Sequence, residues 1–324
     1  MKSIVRSIRS LRTSLWEASP SLAATGWLML ADFVICLVAM SVDTRKITNV
    51  NAWIKPAKFG LSSAITCFTL AGMAGYLADW PRIRSWGARI FALSIAIEIL
   101  VIDLQAARGT TSHFNVSTPF DKAAFMVMGV SICALWLSMA AMTWALMRQK
   151  IKPESWRWAL RLGLLLSLVG AAGGGFMLRQ SPSERLAPGH PLFGAHTVGA
   201  PDGGPGLPVV NWNIEHGDLR IPHFLGLHAM QAIPLIGLWL FRRGKLSELQ
   251  RTRIVWLASA VYVEVYALLT WQALRGQALL HPDAWTLIAA FAIVIQLALG
   301  SAVIRYAPLA NAVNRWIEVI EVRA

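Results

Sequence analysis

The sequence predicts an all-α, polytopic membrane helix bundle of eight transmembrane helices, arranged as two tandem parallel four-helix repeats. Three observations carry this. The 324 residues are 56% hydrophobic and 15% charged, with a mean hydropathy of +0.52, where a soluble domain carries about 25% charged residues. Apolar runs of about 20 residues, the length that crosses a hydrocarbon core, recur eight times. One polar signature is written twice, Gln105-Ala-Ala-Arg108-Gly109 and Gln272-Ala-Leu-Arg275-Gly276, each time at the end of an apolar run. Lipid offers no partner for free backbone groups, so the runs are helical.

Residues 1–23 place Lys2, Arg6, Arg9 and Arg12 among Ile4, Val5, Ile8, Leu11 and Leu15. At 3.6 residues per turn this is a basic amphipathic helix, expected to lie on the anionic cytoplasmic leaflet. The first repeat occupies 24–150, with spans at 24–41, 58–78, 88–107 and 123–147. The second occupies 151–304, with spans at 158–178, 222–240, 254–274 and 284–304. Its loop 179–221 is rich in Pro and Gly, and a loop that long is expected to cap a site. A tail, 305–324, follows.

The duplication rests on three matches at one offset of four spans. The Gln-Ala-x-Arg-Gly signature closes spans 3 and 7. Asp121, in Pro-Phe-Asp, opens span 4, and Asp283, in Pro-Asp, opens span 8. Span 2 begins Pro56-Ala-Lys-Phe-Gly60-Leu61 and span 6 begins Pro222-His-Phe-Leu-Gly226-Leu227, which aligns Ser62 with His228. Four spans is an even number, so the halves share one orientation and an axis along the membrane normal.

The formal charge of +13 is largely a topology signal. Twenty of the 30 Lys and Arg fall in the two tails and every second loop, which puts those segments and both termini in the cytoplasm of a bacterial-type inner membrane. No nucleic-acid role follows. Cys36, Cys67 and Cys133 lie within spans without a CxxC spacing and read as small core residues.

Ionisable groups inside a membrane tend to face the bundle interior or a cavity. Glu98 lies ten residues before Arg108, and Glu264 eleven before Arg275, so both sit about 15 Å below the outer ends of their spans. Asp32 is at a similar depth, and Lys58 enters span 2 from outside. Glu98, Gln105 and Arg108, and again Glu264, Gln272 and Arg275, form a polar column in each half. With Asp32 and Lys58 they are the expected ligand-binding residues, and either glutamate is expected to exchange a proton. Hydrogen-bonded glue between helices accounts for the same residues without a ligand.

Six of the seven histidines lie in outer loops or span mouths; only His228 is well inside a span. His113, His216, His223, His228 and Asp218 are the candidates for a divalent metal, and His228 with a partner such as His113 for haem. His223 and His228, five residues apart, point about 140° apart on a helix and are not expected to grip one ion. Three function classes stay open. One is a transporter or ligand-binding protein, acting on a small anionic or lipid-like ligand in the outer half of the bilayer. The second is a metal- or haem-binding membrane enzyme or redox protein. The third is a non-catalytic subunit or assembly factor.

Overall fold

The computed structural model describes residues 13–178 and 193–321, with side chains up to residue 306. The charged residues Lys2 to Arg12 of the expected amphipathic helix, and residues 179–192 of the long loop, lie outside it.

Proline starts three of the helices. Pro20, Pro81 and Pro119 each open one at a position where a missing N–H costs nothing: α1 (Pro20–Val42), α3 (Pro81–Ala107) and α4 (Pro119–Arg148). Between α1 and α2 (Ile54–Ala74) the chain makes an antiparallel hairpin of β1 (Lys46–Ile47) and β2 (Val50–Asn51). Its turn residues Thr48 and Asn49 take positive φ, 49° and 66°.

The second half runs through α5 (Glu154–Ala172), a 3-10 turn at Gly173–Leu178, the two-residue strands β3 (Thr197–Val198) and β4 (Gly217–Asp218), then α6 (Arg220–Leu227) and α7 (Ala229–Phe241). It ends with α8 (Glu248–Leu274) and α9 (Ala284–Glu321). Ser247 and Gln250 form a reciprocal capping box that starts α8. Seven helices are long and apolar enough to cross a membrane, and α6 with α7, bent by 46° at their break, would add an eighth if the pair is one span. The chain has the helices of a multi-pass, all-α membrane protein: seven of the expected spans fall on single long helices and the sixth on the bent pair. The sixth differs from its expectation as one straight helix over 222–240. The helical ladder breaks at His228, the residue between α6 and α7, whereas Pro234 lies inside α7 and removes only the bond to the carbonyl of Met230 there. The last helix also runs on past 304, to Glu321.

α1 packs on α2 and α3, and α3 on α2 and α4; α5 packs on α6, α7 and α8, and α8 on α6, α7 and α9. Counting the broken span once, both halves use the same four pairings: first on second, third on fourth, first on third, second on third. The halves meet where α4 touches α5 and α2 touches α7. A core of Leu22, Leu70, Phe91, Met139, Leu160 and Met230 crosses that junction. In α9 none of the most apolar window is buried, which suits a lipid-facing helix.

Glycine sets the closest approach within each half. A Cβ on Gly226 would stand 2.4 Å from Gly170 Cα, backbone against backbone. A Cβ on Gly60 would meet Asp32 Oδ2 at 2.6 Å and the Met29 carbonyl at 3.2 Å. The two Arg-Gly signatures close their helices identically. Gly109 and Gly276 take φ of 74° and 72°. Thr110 and Gln277 donate back to the carbonyls of Gln105 and Gln272, and the glycines to Ala106 and Ala273. This is the Schellman end that a left-handed glycine permits.

Candidate functional site

The connector after α3 folds back into the bundle. Phe114, at φ 63°, turns the chain so that His113 reaches Glu98, which lies nine residues, about 13 Å, before the end of α3. His113 Nε2 is 3.3 Å from Glu98 Oε1. A carboxylate only accepts, so Nε2 carries the proton and Nδ1 presents a lone pair. That lone pair faces Lys55 Nζ at 3.0 Å, and Lys55 also donates to Ser112 Oγ at 2.7 Å. The result is a chain Lys55–His113–Glu98 that can pass a proton from ammonium to carboxylate. Glu98 is 5% exposed, and its second oxygen, Oε2, has no hydrogen-bond partner among the described residues. His113 keeps 27% of its side-chain surface. Packing around the imidazole still holds its pKa below the usual histidine value; the Lys55 charge adds to that, and Glu98 opposes it.

Above this chain lies the described part of the long loop. Asp218 is its nucleus: it accepts from the Asn213 backbone at 2.8 Å and from the Arg220 guanidinium at 2.6 Å. Asn213 in turn caps the backbone N–H groups of Glu215 and His216. Asp202 accepts from the Thr197 backbone at 2.8 Å and lies 3.1 Å from His196 Nδ1. Burial pushes His196 down to about 4, with Arg220 adding and Asp202 and Asp218 opposing. The loop touches both halves. Phe193 donates to the Phe114 carbonyl, Asn49 to the carbonyl of Gly203, and Lys58 Nζ to that of Val210 at 2.8 Å, while His216 pairs with Gln277. Lys58, Arg220 and Asp202 all act through space on the Lys55 ammonium, as Glu98 does. Lys55, Lys58 and Arg220 thus share the loop end of the bundle with the acids Glu98, Asp202 and Asp218, the last of which pairs with Arg220.

The other expected residues have separate surroundings. Gln105 and Arg108 both donate to Asp121, at 2.9 and 2.6 Å, and Thr118 adds a third bond. Arg275 pairs with Asp283, the matching acid of the second half, while Gln272 donates to the carbonyl of Ala278 at 2.8 Å. Gln105, Arg108 and Arg275 tie their helix ends to the acids that open the next helices, while Gln272 holds the connector between α8 and α9. Glu264 accepts from Gln296 at 2.7 Å on α9, and among the described residues no hydrogen bond or ion pair joins it to Glu98. Asp32 lies with Cys36 and Asp103, the three ligand atoms within 4.8 Å of one another.

The candidate metal ligands do not form a group of three among the described residues. His223 Nδ1 bonds the Gly170 carbonyl at 3.0 Å. His228 Nδ1 donates to Gln231 Oε1 and its Nε2 faces Ser62 Oγ, both at 3.2 Å. Gln231 reaches across to Thr69 at 3.2 Å. His216 lies at the loop strand beside Gln277. Lys55, Ser112 and Asp103 are the site residues that sequence reasoning missed. Lys55 stands one turn before Lys58, on the same face, and that spacing was a usable signal. Nothing in the local sequence of Ser112 or Asp103 marked either one. No family model, curated protein or solved structure matches this chain.

Proposed function

We propose that this membrane protein binds a small anionic ligand at its outer mouth and moves it, or a proton with it, through the junction of two fused four-helix repeats. The Lys55–His113–Glu98 chain carries this reading: a buried, protonatable line leads from a cluster of cations toward the depth of the bundle. Lys55, Lys58 and Arg220 supply charge for a carboxylate or phosphate. His113 and Glu98 supply a place for a proton that travels with it. Gln105, Arg108, Gln272 and Arg275 fasten helix ends, and Glu264 serves the α8–α9 contact.

The repeat is supported by the shared pairings, the identical Schellman ends and the glycine approaches at aligned positions. Ser62 and His228, aligned between the halves, are also hydrogen-bonded to each other, as residues on a two-fold axis would be. The basic loops support a cytoplasmic location for both termini. Reporter fusions at Lys245 and Pro205 should report opposite sides of the membrane.

Calorimetric titration of the purified protein with inorganic phosphate, acetate and succinate tests the binding. At least one anion should bind, and Lys55→Met and Lys58→Met should each weaken it about ten-fold. If the wild type binds none, and none moves in proteoliposomes, the reading fails.

A further inference from the structure

The lipid-facing side of α3 and α4 carries an open groove of about 510 Å³ near the first turns of α3. Its floor is made by small residues. A Cβ on Gly87 would stand 2.9 Å from Met142 Cγ, so the two helices touch there, and Ala134 and Ala141 remove bulk from the facing ridge. Ile83, Ile90 and Leu137 form the walls. From Arg82 to Ile90 the furrow runs eight residues, about 12 Å along the helix. A hydrocarbon chain fits such a lining and water does not.

The end of the groove is what gives it a specific occupant. Arg82 lines the mouth in the first turn of α3. That turn contains no acidic residue, and its free N–H groups are the positive end of the helix. None of the ion pairs among the described residues uses Arg82, Arg84 or Arg89. The Arg89 guanidinium instead lies 5.4 Å from the Trp86 ring centre, and Trp86 is 61% exposed beside the groove. An aromatic ring at headgroup level with unpaired arginines around it is the chemistry that receives an anionic headgroup.

We propose that this groove holds one acyl chain of an anionic phospholipid, with its phosphate on Arg82 at the start of α3. The site is independent of the loop-end cluster. It lies at the opposite end of the bundle and shares no residue with it.

Electron paramagnetic resonance tests this, with the full-length protein in phosphatidylcholine vesicles and spin-labelled phosphatidylglycerol or phosphatidylcholine as probe. The immobilised fraction should favour phosphatidylglycerol. Arg82→Gln should cut that preference about five-fold, the factor that roughly 1 kcal/mol per surface arginine corresponds to. Ala141→Trp, which fills the groove from an exposed position, should remove about one immobilised lipid per protein without lowering the unfolding temperature. Equal retention of both lipids by the wild type overturns the proposal, as does a preference that survives Arg82→Gln. An unchanged lipid count in Ala141→Trp also overturns it. So does conversion of a dimer to a monomer by that variant with lipid selectivity intact, because the groove would then be a protein interface.

Discussion

Replacing Glu98 by Gln keeps the shape of the side chain and removes one negative charge from the proposed anion site. Lys55 Nζ is 3.0 Å from one nitrogen of His113, and Glu98 is 3.3 Å from the other. With the ring between them, the ammonium and the carboxylate are roughly 8 Å apart, which at an effective dielectric of 20 is an interaction of about 2 kcal/mol. An anion bound to Lys55 feels a similar repulsion from Glu98. The variant should therefore bind phosphate or acetate more tightly at neutral pH, by up to about 30-fold, while losing any transport that needs the carboxylate. In the wild type, affinity should rise as pH falls through the lowered range in which His113 takes up its proton. The free protein holds the His113 pKa down, and a bound anion favours the protonated ring, so binding takes up a proton. Calorimetry between pH 5 and 8 with a proteoliposome flux assay measures both effects. If Glu98→Gln weakens binding and leaves flux intact, the electrostatic reasoning is wrong.

Asp121→Asn should lower stability by about 2–3 kcal/mol, since it leaves Gln105, Arg108 and Thr118 around a weaker acceptor; Asp283→Asn, in a pair that water reaches, should do clearly less in the same unfolding assay. Gly226→Ala puts a methyl into the Gly170 backbone and should cost about 1–3 kcal/mol, whereas Gly60→Ala mainly displaces the end of Asp32 and should cost less. The loop held by His196 should loosen on acidification. Its folded pKa of about 4 lies below the unfolded value of 6.5, so the unfolded chain binds more protons between those values. Stability then falls as pH drops through that window, by up to about 3 kcal/mol. The protection factors at Thr197 and Leu219, corrected for the intrinsic pH dependence of amide exchange, should fall between pH 6.5 and 4, and His196→Gln should flatten the response.

The helices were legible in the sequence because the hydrocarbon core imposes a length and leaves the backbone no other option. The paired Arg-Gly ends were legible because only a left-handed residue closes a helix in that way, and glycine takes that conformation at least cost. Glu98 was found by its depth. Its partner was not, because His113 arrives through a connector whose inward turn depends on the positive φ of Phe114, a residue type that gives no warning of it. The columns were read as one convergent site because equal positions suggested equal roles. Their ends are bound instead to the acids that open the next helices, Asp121 and Asp283, contacts between successive helices that helical spacing within a single span does not reveal.

Ser62 and His228 bear on how such a chain could have evolved. In a homodimer, a residue on the two-fold axis meets its own copy, so every substitution there is made twice and must tolerate itself. On the proposed duplication, a symmetric ancestor would have carried the same residue on both sides of this contact. Fusion of two copies into one chain would remove that restriction, and the hydroxyl-to-imidazole bond at 3.2 Å is a pair that two identical residues on an axis could not form. With Gln231 holding the other ring nitrogen, the imidazole is locked in one tautomer and one orientation. The contact thereby has a donor side and an acceptor side, a direction that a pair of identical residues would lack.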